Sequence, residues 1–524
     1  MINTQYRSLR QPGSVSPCLH PRPDNSPGAG GGRRLARHAL AALALLLAAQ
    51  SVNAEPYPPT GQRLRDLADM SDFQIGYASR FDFRNQPQAA LYEEIVKAEF
   101  NIVTPENSVK WEKVHTAEGV FDFTDMDELV AFADDNGMEL HGHPFLWHNQ
   151  LPPWVLELDG FPEQLEARMI DHITTIGERY AGRIQVWDVI NEGLEEPADS
   201  TELRDDLWLS NLGKAYMRTA FETARAADPA AKLIYNDFYV GWLTPKSEAM
   251  YALIKELVED GVPIDGVGFQ MHITAEFTEF DEFSDNMRRY ADLGLDVYVT
   301  EFDVKVLNKS DDYPLQGEIY EKVLVRCLAE PACKAFQVWG VDDFHSFIPQ
   351  FDPLPFDDDF NIKPAYYGMQ RALSTRVLNV AGDQLTHGDV LAQVDVRPDF
   401  QTLMVRYAND SAVTVNAMVR SGSPDGDVVA TVSFEPTGGM DQFAVTETSL
   451  SLGSANSADL HVMFDDESAA VPVDFMLLRD PTLPMTDPDV VTRSSSGGSG
   501  ALGLFVLLLG FALSARQRRA LQQS

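Results

Sequence analysis

Ile184-Gln-Val-Trp-Asp-Val-Ile-Asn191-Glu192-Gly193 is an apolar, β-branched run that ends abruptly in an amide and a carboxylate. Residues of this type suit a buried strand. A strand that presents polar groups only at its carboxyl end is the unit from which a (β/α)8 barrel builds an active site. Taken alone, the run fits equally well a strand that stops at a polar turn. Its recurrence along the chain decides between the two.

From about Leu64 to Ser374 short apolar runs alternate with amphipathic stretches of helical period. This alternation predicts parallel βα units. The predicted helices are Met126 to Asn136, Pro162 to Ala181, Gly213 to Ala227, Ser247 to Asp260, Phe280 to Leu293 and Gln316 to Ala329. Most stop at a glycine (Gly137, Gly182, Gly261, Gly294), the expected C-terminal punctuation. Strands follow at Met138 to His143, Ile184 to Asn191, Lys232 to Asp237, Asp265 to His272, Leu295 to Asp303 and Ala335 to Gly340. With Phe73 to Ala78 and Phe100 to Val103 in front, they complete the eight strands of a (β/α)8 barrel.

Composition sets the surroundings. The 524 residues suffice for two domains and processing segments. A formal charge of −38 argues against nucleic acid or anionic lipid as a partner and for a well-solvated surface. Of three cysteines, Cys18 lies near the N-terminus, leaving Cys327 and Cys333 as a candidate pair in an exported protein. Arg33, Arg34 and Arg37 precede the apolar run Ala39 to Ala49, and Val52-Asn53-Ala54 fits a small-residue cleavage site, so residues 1–54 read as leader and signal peptide. At the other end, a Ser- and Gly-rich stretch leads into Ala501 to Leu513 and then Arg516, Arg518 and Arg519. That apolar run is short beside the roughly 20 residues of a full span. It resembles the Gly-Gly sorting signals of Gram-negative bacteria, with a single-span anchor as the alternative.

The strand ends carry the chemistry. Glu192 and Glu301 close the fourth and seventh strands, and a barrel brings such residues to one mouth. Two facing carboxylates are what cleavage of a glycosidic bond requires. Trp147, Trp339, His143, His148, Gln270 and His272 share that mouth, and aromatic faces with amides and imidazoles suit a sugar. His141 and His143, with His148 and His272, raise a metal site as a rival, but their spacing matches no zinc pattern and neither metal nor cofactor is expected.

His141-Gly-His143-Pro-Phe-Leu-Trp147-His148, Trp187-Asp-Val-Ile-Asn191-Glu192 and Val299-Thr-Glu301-Phe-Asp303 resemble the three signature stretches of glycoside hydrolase family 10, mostly endo-β-1,4-xylanases. Glu106-Asn107-Ser-Val-Lys110-Trp111, Gly268-Phe-Gln270-Met-His272 and Val338-Trp339-Gly340 match in order. The resemblance implies a retaining double displacement on xylan, with Glu192 as acid/base and Glu301 as nucleophile. It further implies that Asn191 bonds the sugar 2-hydroxyl, that His272 touches the nucleophile and is held by Asp303, and that Gln270 positions the acid/base. Glu106, Asn107, Lys110, His143 and Trp147 match sugar contacts, and Trp339 the platform under the reacting sugar. A surface ion pair is the alternative for Glu106 and Lys110. Cys327 and Cys333 stand where the family often has a small disulfide. Three departures are Phe347, where a second tryptophan is usual, Phe238-Tyr239 in place of Tyr-Asn, and Pro144-Phe145 in place of Thr-Leu.

After Ser374 the helical period gives way to short alternating runs separated by Gly, Asp, Asn and Ser, which predicts a β-sandwich. Its second half resembles a family 6 carbohydrate-binding module, but no tryptophan occurs beyond Trp339, so a structural sandwich remains the alternative. The expected division is a leader over 1–54, a catalytic barrel over 55–375, a sandwich over 377–480, a linker over 481–500 and a tail over 501–524. The expected activity is endo-hydrolysis of xylan and xylo-oligosaccharides by an exported, cell-surface or extracellular monomer of a Gram-negative bacterium, with transient membrane contact through the tail. Another β-1,4-glycanase and a non-catalytic polysaccharide-binding protein are the alternatives.

Overall fold

The computed structural model describes residues 56–80, 88–378, 384–394, 401–439, 442–451 and 458–479. All lie in one compact unit, Val52–Ser524. The expected leader, linker and tail fall outside the described residues. Among those described, no helix is long and apolar enough to cross a membrane.

Nine strands form the first sheet: β1 (Gln74–Ser79), β2 (Ile102–Pro105), β3 (Glu139–Gly142), β4 (Val186–Asn191), β5 (Lys232–Asp237), β6 (Gly266–Phe269), β7 (His272–Thr274), β8 (Asp296–Lys305) and β9 (Cys333–Val338). All pairings are parallel, and β6 pairs with β8 as well as with β5, so eight of the strands close into a barrel. The predicted (β/α)8 architecture is the observed one. Each barrel strand is buried along nearly its whole length, because helices cover its outer face and side chains fill the inside. One residue from each of four strands (Val186, Ile234, Tyr298 and Ala335) forms a separate buried cluster.

Two glycines show what the chain needs locally. Gly182, after the helix Pro162–Arg179, sits at φ 72°, a left-handed turn that an L side chain resists. At Gly142 a Cβ would lie 2.1 Å from the ring of Trp187, so only glycine lets β3 pass that buried indole.

Two predicted boundaries shift. The expected strand Asp265 to His272 is broken: Met271 at φ 57° turns the chain, β6 stops at Phe269, and His272 opens β7 beside the end of β8. The last long helix starts at Lys309 rather than Gln316 and carries Pro314 in its second turn, where the missing N–H forgoes one helical hydrogen bond. Cys327 and Cys333 form a disulfide with Cα atoms 5.3 Å apart. It joins that helix to the start of β9, at the amino end of the strand and away from the mouth.

Beyond the barrel, β10 (Arg376–Leu378), β11 (Gln384–Thr386), β12 (Val390–Val394), β13 (Thr402–Tyr407), β14 (Val415–Ser421), β15 (Val428–Phe434), β16 (Ala444–Ser449), β17 (Ala458–Phe464) and β18 (Ala470–Arg479) form two antiparallel sheets. Strand alternation explains how they attach to the barrel. On β13, Leu403, Val405 and Tyr407 enter the core between the sheets, while Met404 joins the barrel's apolar cluster. On β18, Met476 and Leu478 face the sheet core, and Phe475 and Leu477 the barrel.

Candidate active site

A cleft of about 400 Å3 opens at the carboxyl ends of the barrel strands and is lined by Asn191, Glu192, Gln270, His272, Glu301 and Trp339, among others. A larger cavity of about 570 Å3 lies between the helices Ala89–Glu99 and Thr124–Asp135, around Tyr92, Leu129 and Phe132. Size does not locate chemistry in a barrel; the strand ends do.

β4 delivers Asn191, and Glu192 follows at φ 58° with its amide bonded to the carbonyl of Asn236 at 2.8 Å. The Glu192 carboxylate accepts from Trp147 Nε1 at 2.8 Å on Oε2 and from Gln270 Nε2 at 3.1 Å on Oε1. His148 Nδ1 stands 3.8 Å away. Burial, and then the nearby Arg204 cation, push the pKa of His148 down to about 4, so its ring is neutral at ordinary pH.

Glu301 has different company. Asn236 Nδ2 donates to its Oε1 at 2.8 Å, and His272 Nε2 lies 3.3 Å from Oε2. His272 Nδ1 donates to Asp303 Oδ2 at 2.7 Å. Burial alone would lower the His272 pKa, but Asp303 and then Glu301 outweigh it and hold the ring at about 10. One carboxylate therefore meets neutral donors and the other an imidazolium. Such divergence of surroundings is how paired carboxylates take different roles.

Below the mouth, Asp188 ties two histidines together: His141 Nε2 is 2.8 Å and His143 Nδ1 2.6 Å from its oxygens. Burial raises the Asp188 pKa, but His141 and His143 outweigh that and bring it down to about 2. Gln337 Nε2 donates to His141 Nδ1 at 2.7 Å, which leaves His141 Nε2 to donate to Asp188. His143 also lies 3.9 Å from Glu301. The two strand histidines are thus hydrogen-bonded interior groups. Among the described residues, no three His, Cys, Asp or Glu side chains are placed to hold a metal ion together.

Glu106, Asn107 and Lys110 line the same cleft. Asn107 donates to Glu106 at 3.1 Å, and Lys110 donates to Asn107 at 3.3 Å with its ammonium 4.6 Å from the centre of the Trp147 ring. Lys110 is only 7% exposed, so it is no surface charge. Burial lowers its pKa, with Glu301 and Glu106 opposing. Trp339 is buried with its ring edge-on to His143 at 5.0 Å. Phe347, 51% exposed, stands 5.1 Å from the His272 ring.

The structure brings every sequence-derived site residue except the cysteines to this cleft or directly beneath it. Asn236, which bridges Asn191 Oδ1 at 3.0 Å and Glu301, had been given no role. Its signal was present, since it too is an amide at the carboxyl end of a strand. Asp188 was hidden inside an apolar run.

One consequence is measurable. The raised pKa of His272 means its charge stabilises the fold fully below its unfolded value, near 6.5, and that stability is lost as pH rises through about 10. Nitrogen-resolved NMR at pH 8 should show His272 carrying both ring protons while His148 carries one. A His272 signal that titrates between pH 6 and 7 would mean the pair with Asp303 is not made.

A model of glycosyl hydrolase family 10 matches residues 64–372. The chain is 38% identical over 322 residues to endo-1,4-beta-xylanase B of Thermotoga neapolitana, covering 60% of this chain and 92% of that one. It is 37% identical over 286 residues to endo-1,4-beta-xylanase A of Humicola insolens, covering 53% and 75%. The crystal structure of native xylanase 10B from Thermotoga maritima superposes with a TM-score of 0.58 at 41% identity, over 59% of this chain and 98% of that one.

Proposed function

Because the chain belongs to glycosyl hydrolase family 10, we propose that it is an endo-1,4-β-xylanase that cleaves xylan by a retaining double displacement. In the first step a Glu301 oxygen attacks the anomeric carbon. The bond from that carbon to the glycosidic oxygen breaks with its electron pair on the oxygen, and Glu192 gives that oxygen its proton. In the second step water attacks the same carbon, Glu192 takes the water proton, and the bond to Glu301 breaks. The observation that carries this reading is the asymmetry of the two carboxylates: an imidazolium and an amide at Glu301, neutral donors at Glu192.

The remaining contacts fit supporting roles. Asn191 accepts from both Asn236 and Gln270 through Oδ1, which leaves its amide nitrogen, 3.4 Å from Glu192, to meet the sugar 2-hydroxyl. Glu106, Asn107, Lys110, His143 and Trp147 offer hydroxyl partners, and Trp339 a ring face. The lining is polar and aromatic, as a polysaccharide of hydroxyls and apolar ring faces requires.

Reducing-sugar release from xylan, cellulose and mannan tests the substrate class. Xylan should be cut into oligomers at the highest rate. Faster cleavage of cellulose would favour the broader glycanase reading, and binding of xylan with no cleavage of any polymer would favour a non-catalytic protein. We also propose export to the surface of a Gram-negative bacterium, supported by the arginine-led apolar run and the Gly-Gly tail. Mature protein beginning at Glu55 would support it, and an unprocessed N-terminus would contradict it.

A further inference from the structure

Glu192 occupies a left-handed backbone conformation, φ 58°, that a residue with a side chain adopts reluctantly. Something must hold it there. Its amide is bonded by Asn236, and its carbonyl accepts from Arg204 Nε at 2.7 Å. The next carbonyl, that of Gly193, accepts from the backbone amide of Arg204 at 2.9 Å. One residue thus fastens two successive carbonyls, once by side chain and once by main chain.

The path of the chain explains how a residue twelve positions downstream reaches back. Leu194 pairs with Leu203 in an antiparallel bridge, and the amide of Glu195 bonds the carbonyl of Glu202 at 3.1 Å. The excursion after β4 is therefore a return that lays Arg204 beside Gly193. Arg204 is 7% exposed, and its Nη1 donates to Glu196 at 3.5 Å. The same excursion continues into the helix Leu207–Leu212, capped by Asp206. There the buried Trp208 donates its Nε1 to the carbonyl of Trp147 at 3.0 Å, and Trp147 in turn donates to the Glu192 carboxylate. The stretch from Arg204 to Trp208 thus grips Glu192 at both ends.

We propose that Arg204 is a positioning residue for the proton donor, holding the Glu192 backbone so that its carboxyl is aimed at the departing glycosidic oxygen. The proposal rests on Glu192 being the acid/base. It predicts a selective defect. A displaced general acid slows departure of a poor leaving group and leaves one that needs no proton nearly unaffected.

The test is kcat/KM of the Arg204→Met protein on xylohexaose and on 2,4-dinitrophenyl β-xylobioside, with Glu192→Ala alongside. We expect a loss of about 10- to 100-fold on xylohexaose, the size of effect of a small misplacement, and less than about threefold on the aryl glycoside. Equal losses on both substrates, or no loss on either, would overturn the proposal. If Arg204→Met does not fold, Arg204→Lys, which keeps the charge but not the planar fork, is read by the same criterion. Glu192→Ala separates the two layers. If it shows the selective loss and the Arg204 variants do not, only the positioning role fails. If it loses both substrates alike, the acid/base reading of Glu192 is what has failed.

Discussion

Replacing Glu301 by alanine is expected to lower kcat/KM on xylan by roughly 10^4- to 10^6-fold, the scale on which removing a covalent nucleophile acts. Glu301 is 4% exposed and held from two sides, by Asn236 and His272. On the proposed mechanism its removal takes away the atom that bonds the sugar and leaves the binding groups around it. Substrate affinity, read by calorimetry with xylohexaose, should therefore change little while turnover collapses. The variant should also keep its fold, because what it leaves is a small cavity open to the cleft rather than a gap in the core. Residual xylanase activity within about 100-fold of wild type would be too much for a lost nucleophile. It would send the search to another carboxylate.

The second large effect concerns stability. Asp474, on β18, is buried and bonds Arg406 at 2.5 Å and also Arg288 of the barrel helix Phe280–Ala291. Arg406, on β13, also reaches Asp281 of that helix at 2.8 Å, and the buried Arg326 lies 3.3 Å from the same carboxylate. Deleting the Asp474 carboxylate would take one anion from the buried Arg406 and leave Arg406 and Arg326 sharing the half-exposed carboxylate of Asp281. Breaking a buried pair from one side costs about 3–5 kcal/mol. Asp474→Ala should therefore lower the urea midpoint substantially and expose the sandwich to protease. The exposed Asp285→Ala on the same helix should stay within about 0.5 kcal/mol.

A double variant, Arg406→Met with Asp474→Leu, should regain much of the loss, since apolar replacement of a whole buried pair is often neutral. An Asp474→Ala protein as stable as wild type would mean the sandwich is not braced on the barrel by these charges. The pH dependence has a definite sign. Burial alone would raise the Asp474 pKa, but Arg406 and then Arg288 outweigh it and hold it below the ordinary carboxylate value. Its contribution is complete above the unfolded value, near 3.9, and is lost as pH falls through the folded one. In the sandwich Tyr407, Phe434, Phe464 and Phe475 are buried, while Phe443 is partly exposed with the Arg406 guanidinium 4.4 Å from its ring centre.

The barrel was legible because its signals are local and repeated: β-branched runs, helical period, glycine stops. Glu192, Glu301 and Asn191 were legible because polar groups at the ends of buried strands stand out against apolar neighbours. Asp188 was not, since one charge inside Val186 to Ile190 reads as noise until its partners His141 and His143 are seen across β3. Asn236 carried the strand-end signal, but its role depends on bridging two distant strands. Arg204 lay in a polar excursion with no period. The break at Met271 depends on a backbone angle that sequence pattern does not report. Arg406 and Asp474 sit in alternating strands whose outer face would ordinarily meet water, and only the docking of the sandwich makes them buried.

The most direct test of the central claim is to trap the covalent intermediate. Incubation with a 2-deoxy-2-fluoro xylobioside bearing a good leaving group slows hydrolysis of the glycosyl-enzyme more than its formation. Intact mass and peptide mapping then report what has bonded to what. The mechanism predicts one added fluoroxylobiosyl group per chain, on the peptide containing Glu301, with activity returning as it is released. No adduct, or an adduct on a carboxylate other than Glu301, would contradict it.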